Sequence, residues 1–279
     1  MCRWLAYSGN PVPLSSLIFE TRHSLIDQSL AARQSEQTTN GDGFGVGWYD
    51  HLDEPGLYKD IQPAWNDDNL QDVCRHVVSP LFVAHVRATT GTPVQQTNCH
   101  PFRRGRWLFV HNGLVSGFES IRWDLVSELG RRWFGHLKGT TDSEIMFYLC
   151  LHFGLEEDPY GAVARMVGFV ERVGMSADVA WPMQMTLGIS DGMRLFAVRY
   201  SSEGRSRTLY HSEDIAALRR LLPRGGAAVL DAFSDDARMV VSEPLGDELP
   251  GAWKEIPEAT FLAVEEGRVE TRGFVPARV

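Results

Sequence analysis

The chain has 279 residues, 43% hydrophobic and 23% charged, a globular composition long enough to bury a core without disulfide or metal support. Its 36 acidic and 27 basic residues give a formal net charge of −9 with no basic stripe, which argues against nucleic acid or an anionic membrane as the principal partner. No signal-peptide core follows Arg3, no apolar run reaches bilayer length, and Cys2, Cys74, Cys99 and Cys150 form no C-x-x-C pair, so the expectation is a reduced, cytoplasmic protein with no membrane span, no metal and no cofactor.

In chain order, residues 3–8 are predicted to form a strand ended by the turn Gly9-Asn10-Pro11, and residues 15–30 short helices. Residues 43–49 alternate glycine with Phe44, Val46 and Trp48. That pattern predicts a strand with one face of almost bare backbone, lying close under another segment. Asn66 or Asp67 is placed to cap a helix running to His76. Residues 81–87 and 106–111 are apolar runs of strand length.

Helices are predicted over residues 119–129, stopped by Gly130, and from Thr141 to Phe153, opened by the capping box Thr141-Asp142-Ser143-Glu144. A third covers residues 160–173, where Val163, Met166, Val167 and Val170 fall at helical spacing before Gly174. The remainder reads as strands over 184–189, 195–200, 238–242, 260–264 and 269–273, with residues 242–257 as a surface excursion. Strands, then helices, then strands, without linker or repeat, fit one α+β domain over residues 1–279: two sheets face to face with helices outside, a four-layer αββα sandwich.

Five blocks can carry chemistry. Removal of Met1 would leave Cys2 as the N-terminal residue, with a thiol nucleophile and a basic α-amine on one Cα; the alternative is a small buried apolar residue at a strand start. Asn40-Gly41-Asp42-Gly43-Phe44-Gly45 is glycine-rich, but its spacing is that of neither a dinucleotide fold nor a P-loop. In His85-Val86-Arg87-Ala88-Thr89-Thr90, Arg87 sits at a strand end, as either a surface ion-pair partner or a bidentate carboxylate clamp. Asn112-Gly113 is either a hairpin turn or an oxyanion hole built from a side-chain amide and a backbone N–H. Asp142 lies in a first helical turn, where a carboxylate suits the dipole and can also grip an ammonium. His85, His100 and His111 do not have the spacing of a metal cluster, and His100, before Pro101, fits a hydrogen-bonded core or turn histidine.

In this order, Met1-Cys2-Arg3, Gly41-Asp42-Gly43-Phe44-Gly45, His85-x-Arg87-x-x-Thr90, Asn98-x-His100-Pro101, His111-Asn112-Gly113 and Thr141-Asp142-Ser143-Glu144 resemble the class II glutamine amidotransferases, which are N-terminal-nucleophile hydrolases. The resemblance implies Cys2 as nucleophile and Asn112 with Gly113 as oxyanion hole. It implies Arg87 and Thr90 at the α-carboxylate of the γ-glutamyl group, and Asp142 at its α-amine. Pro63-Ala64-Trp65-Asn66 and Val240-Val241-Ser242-Glu243-Pro244-Leu245 are similar to the stand-alone branch, which includes the glutaminase-like subunit of a fungal glutathione-degradation complex and the γ-glutamyl amidase of ergothioneine biosynthesis. Cleavage of the γ-glutamyl amide of glutamine or a small γ-glutamyl compound through a thioester is therefore expected. The alternatives are a glutaminase subunit feeding ammonia to a separate synthetase and a non-catalytic regulatory subunit, and a partner peptidase or synthetase subunit is conceivable. Ala88 replaces the aromatic that synthetase-linked members commonly carry after the clamp arginine, which makes room for a larger leaving group.

Overall fold

The computed structural model describes residues 2–34, 39–89, 91–213, 233–246 and 251–278. The elements are β1 (Arg3–Pro13), α1 (Ser15–Ile18), α2 (Leu25–Ala31), β2 (Phe44–Trp48), β3 (Gly56–Asp60), α3 (Asp68–His76), β4 (Val78–Val86), β5 (Phe102–Arg104) and β6 (Trp107–Val115). There follow α4 (Phe118–Phe134), α5 (Asp142–His152), α6 (Pro159–Ser176), β7 (Met183–Ser190), β8 (Arg194–Ser201), β9 (Tyr210–Ser212), β10 (Arg238–Val241), β11 (Trp253–Glu255), β12 (Thr260–Glu265) and β13 (Arg268–Gly273).

Among the described residues the strands form two antiparallel sheets, ordered β11-β9-β10-β1-β4-β2-β3 and β13-β12-β8-β7-β6-β5. Three apolar clusters define the layers. Trp4, Ala6, Leu81, Val83, Leu108, Val110 and Leu262 fill the space between the sheets. Leu5, Tyr7, Phe82, Leu17 and Leu70 join the outer face of the first sheet to α1–α3. Phe109, Phe147, Val167 and Leu187 join the outer face of the second to α4–α6. The expected four-layer αββα sandwich is thus present, and its cause is the period-two alternation of the central strands, which bury one face between the sheets and the other under helices.

The glycine-rich strand behaves as its pattern predicts. A Cβ on Gly45 would collide with the His100 carbonyl, one on Gly47 would lie 2.8 Å from Leu108 Cδ1, and one on Gly43 would lie 2.6 Å from Cys99 Sγ. The bare face of β2 is the groove over which residues 99–101 pass. Local caps also follow the sequence: Asp67 accepts from the Leu70 N–H (2.7 Å), and Ser24 and Asp27 cap α2 reciprocally. The box at α5 is only half made. Thr141 accepts from the Glu144 N–H (3.2 Å), but the Glu144 carboxylate turns away to the N–H groups of Lys138 and Gly139.

The short strands β3, β5, β9 and β11 were not expected, because three to five residues carry too little periodicity to stand out. Residues 242–257 are not a surface excursion where they are described. Glu243, Ala252 and Ile256 are buried, and β11 extends the first sheet by pairing with β9. No helix among the described residues is long and apolar enough to cross a membrane.

Candidate active site

Strand parity brings the candidate residues together. Trp4 and Ala6 face the gap between the sheets, so Cys2 at the start of β1 points the same way, while Arg3 points outward with Leu5 and Tyr7. On β4, Leu81 and Val83 face the gap, and the same parity carries His85 and Arg87 there. Arg3 pairs with Val86, so one step further along the ladder Cys2 lies across from Arg87. On β6, Leu108 and Val110 face the gap and Asn112 continues that row from the opposite sheet. Cys2 and Asn112 therefore converge on one gap from facing sheets.

The Cys2 thiol lies 3.5 Å from the Ala88 carbonyl. Burial pushes the thiol pKa up, and the Ala88 contact and the charges of Arg87 and Arg3 pull the other way without cancelling it. Asn112 is buried at 2% exposure, and its Nδ2 has no hydrogen-bond partner among the described residues, although each such donor ordinarily finds one. Gly113 is no turn residue. It lies within β6 opposite Met185, and a Cβ there would collide with the Gln184 carbonyl.

Arg87 is not a surface residue. At 3% exposure, its guanidinium donates to the Asp42 carbonyl (3.3 Å), Thr89 Oγ1 (3.3 Å), Thr92 Oγ1 (2.6 Å) and the Pro93 carbonyl (3.3 Å). All four acceptors are neutral, and Arg87 forms no ion pair with a carboxylate among the described residues. Asp42 orders the same loop by accepting from the Thr89 N–H (2.8 Å). Thr90 lies outside the described residues. Asn98 ties this wall to α5: its Nδ2 donates to the Pro93 carbonyl (3.0 Å) and Thr140 Oγ1 (3.0 Å), and its Oδ1 accepts from the Thr140 N–H (2.8 Å). Two residues on, Asp142 opens α5 and accepts from the N–H groups of Val115 (2.8 Å) and Ser143 (2.7 Å).

The sequence resemblance is to the class II glutamine amidotransferases, and strand parity sets Cys2 and Asn112 on facing sheets of one gap with Arg87 beside Cys2. Comparison with known proteins agrees: the family described as glutamine amidotransferases class-II matches residues 1–277. The chain belongs to the class II glutamine amidotransferases. It is 32% identical to the probable glutamine amidotransferase DUG3 of Saccharomyces cerevisiae, over 95% of this chain and 82% of that one. It is 28% identical to the gamma-glutamyl-hercynylcysteine sulfoxide hydrolase of Mycolicibacterium smegmatis, over 96% of this chain and 98% of that one. A glutamine aminotransferase class-II domain protein from Silicibacter pomeroyi superposes with a TM-score of 0.75 at 34% identity, covering 99% of this chain and 100% of that one. The glutamine phosphoribosylpyrophosphate amidotransferase of B. subtilis, 13% identical, shares the fold at a TM-score of 0.65 over 99% of this chain and 50% of that one.

This amidotransferase also carries a support that sequence reasoning did not assign. Arg3 Nη1 donates to the Cys2 carbonyl (3.0 Å), and Arg3 Nε pairs with Glu243 (3.2 Å). Glu243 in turn takes His23 Nε2 at 2.7 Å and the N–H groups of Arg33 (2.9 Å) and Gln34 (3.1 Å). Arg3 and Glu243 are 2% and 1% exposed. Next door, the Ser242 N–H donates to the Trp4 carbonyl (3.0 Å) and Ser242 Oγ accepts from the Trp4 N–H (3.1 Å). The one available signal was the motif Ser242-Glu243-Pro244-Leu245, with an acidic residue in an otherwise apolar stretch.

The histidines of the amidotransferase separate into two environments. His111 faces the helices, with Nδ1 2.8 Å from Ser143 Oγ, and burial lowers its pKa. His85 and His100 stack with ring centroids 4.2 Å apart. Neither ring makes a well-formed hydrogen bond among the described residues, so His100 is a core histidine but not the hydrogen-bonded one expected. Burial pushes the pKa of His85 down to about 3 and that of His100 well below its usual value, so both are neutral. No group of three potential ligands among the described residues is arranged to hold a metal ion.

Proposed function

We propose that this amidotransferase hydrolyses the γ-glutamyl amide bond of glutamine or, in preference, of a small γ-glutamyl compound whose leaving amine is larger than ammonia. The observation that carries the reading is Arg87, a buried cation held among the described residues by neutral acceptors alone. Leaving a charge in that state is costly unless a ligand supplies the anion, and the α-carboxylate of a γ-glutamyl group is suited to the planar guanidinium fork. Asp142, half-buried at the first turn of α5, is assigned the α-ammonium.

In this mechanism the Cys2 thiolate attacks the δ-carbonyl carbon, and the C=O π electrons move onto oxygen. The Cys2 α-amine, free once Met1 is removed, takes the thiol proton and returns it to the departing amine as the C–N bond breaks. Asn112 Nδ2 and the Gly113 N–H stabilise the oxyanion, one such donor being worth about 2.7–4 kcal/mol in comparable sites. Water, deprotonated by the same amine, then cleaves the γ-glutamyl thioester to give glutamate and regenerate the thiol.

Ala88 supports a leaving group larger than ammonia. It follows Arg87 directly, its carbonyl contacts the nucleophile and its side chain is a single methyl. The hydrolase from Mycolicibacterium smegmatis, similar along almost its whole length, is named for a γ-glutamyl compound and not for glutamine.

The test is glutamate release from glutamine, glutathione and a simple γ-glutamyl anilide. A higher kcat/KM for the peptide than for glutamine is expected. Release from glutamine alone would overturn the preference and point to a synthetase partner. Arg87→Ala is expected to lose about 2–5 kcal/mol of transition-state binding, roughly 30-fold to several-thousand-fold in kcat/KM, and Arg87→Lys to recover only part of it. Near-wild-type kcat/KM in Arg87→Ala would remove Arg87 from the clamp.

A further inference from the structure

A cavity of about 450 Å³ opens beside β3, β5, the Gln96-Thr97 segment and residues 136–138, and none of Cys2, Arg87, Asn112 and Asp142 lines it. Its volume lies in the range of small-molecule sites, roughly 300–1,000 Å³. Its wall carries Lys59, Arg103, Arg104 and Lys138 against Glu54 and Glu144. That is a positive concentration on a chain whose formal net charge is −9.

Both carboxylates are already engaged. Glu54 pairs with Arg103 Nε at 3.1 Å. Glu144 accepts the N–H groups of Lys138 (2.9 Å) and Gly139 (2.7 Å). Lys59, Arg104 and Lys138 are left without an ion pair to a carboxylate among the described residues. Lys59 is the most confined of the three. Its ammonium donates to the Cys99 carbonyl (2.8 Å) and stands 5.6 Å from the centre of the Phe102 ring. Burial pushes its pKa down, and beyond the Cys99 carbonyl its ammonium has no hydrogen-bond acceptor among the described residues. Arg104 reaches His136 Nε2 at 3.3 Å and the ring of Trp133, and it lines the cavity.

We propose that this cavity is a binding site for a small polyanion, a compound bearing a phosphate or two or more carboxylates. Three cations on separate segments, two of them point charges and one a planar fork, can surround such a group as a lone carboxylate side chain does not. Four cations against two carboxylates leave a net charge of +2, which a dianion offsets and a singly charged ligand only halves. A basic macromolecular partner is excluded by the sign of the charge.

The site is tested on the full chain by calorimetric titration with inorganic phosphate and, separately, with citrate, at ionic strength held constant with sodium chloride. Saturable one-to-one binding of at least one anion is expected. Phosphate alone would identify a phosphate ligand and citrate alone a polycarboxylate. Lys59→Gln with Lys138→Gln is expected to weaken binding at least tenfold while Cys2-dependent glutamate release stays at the wild-type rate. Arg104→Gln with Lys138→Gln serves the same end if replacing half-buried Lys59 impairs folding. Absence of saturable binding of both anions would overturn the proposal. So would affinity indifferent to these substitutions, or displacement by glutamate, which would put the anion on Arg87.

Discussion

Replacing Cys2 with alanine is expected to cut glutamate release by about 10⁴-fold or more, since removing a covalent nucleophile leaves only the binding and oxyanion contributions. The more informative variant leaves every side chain in place. An additional peptide ahead of Cys2 turns its α-amine into an amide, which has no basic lone pair. Burial already holds the Cys2 thiol above its usual pKa, so little thiolate exists at neutral pH without a base. No other base is assigned to the thiol: its only hydrogen-bond contact among the described residues is the Ala88 carbonyl, and burial keeps the nearby histidine pair neutral, stacked ring on ring. The extended chain should therefore lose most of its kcat at pH 7, and iodoacetamide should label its Cys2 more slowly than in the processed chain. Mass spectrometry establishes which N-terminus each sample carries. A chain extended ahead of Cys2 that turned over at the wild-type rate would exclude the α-amine as base and return the search to a side chain.

How far the sequence discloses this site depends on how local each signal is. Cys2 and Asn112 lie at or within long apolar strands, and once the parity of β1 and β6 is known, their convergence between the sheets follows. Helices α4–α6 were legible because α4 and α6 each bury an apolar stripe, α5 is an apolar run opened by the capping Thr141 and buried all round, and each has a capping residue or glycine near an end. The anchoring of Arg87 was less legible, since its partners Thr92 and Pro93 lie in a loop whose path no periodicity encodes. Arg3 and Glu243 lie 240 positions apart, and although the motif around Glu243 stood out, nothing local joined it to Arg3. Their pairing exists because β10 lies beside β1, a long-range register that short strands separated by irregular segments do not announce. The same limitation concealed β11 and turned residues 242–257 into an expected excursion. Glu144 shows the opposite failure: its spacing from Thr141 fits a capping box, yet tertiary structure offered its carboxylate two backbone N–H groups of the preceding loop instead.

Glu243→Gln is expected to be the most damaging substitution outside the catalytic residues, both in stability and in kcat. It leaves Arg3 buried without a counter-charge, a change that typically costs about 3–5 kcal/mol. Burial alone would raise the Glu243 pKa, but the His23 ring, the Arg33 and Gln34 N–H groups and Arg3 hold it down to about 2, against an ordinary value of 4.5. A depressed carboxylate contributes its stability in full above pH 4.5 and loses it as pH falls toward 2, a contribution of about 3 kcal/mol. The Tm gap between wild type and Glu243→Gln should therefore be widest near pH 6–7 and narrow as the buffer is taken below pH 4. A gap independent of pH would mean that the carboxylate charge is not what stabilises this corner. Support of the nucleophile is separated from stability by a double variant. Arg3→Met with Glu243→Gln removes both charges, and the glutamine amide oxygen can still accept from the Arg33 and Gln34 N–H groups, so no buried charge is left unpaired. That protein should regain much of the lost Tm, yet Cys2 would still lack the guanidinium that holds its carbonyl at 3.0 Å. Its kcat should remain depressed with KM little changed, because Arg87 and Asp142, which hold the substrate head in the proposed mechanism, are untouched. Recovery of kcat together with Tm would make the Arg3–Glu243 pair a structural brace and nothing more.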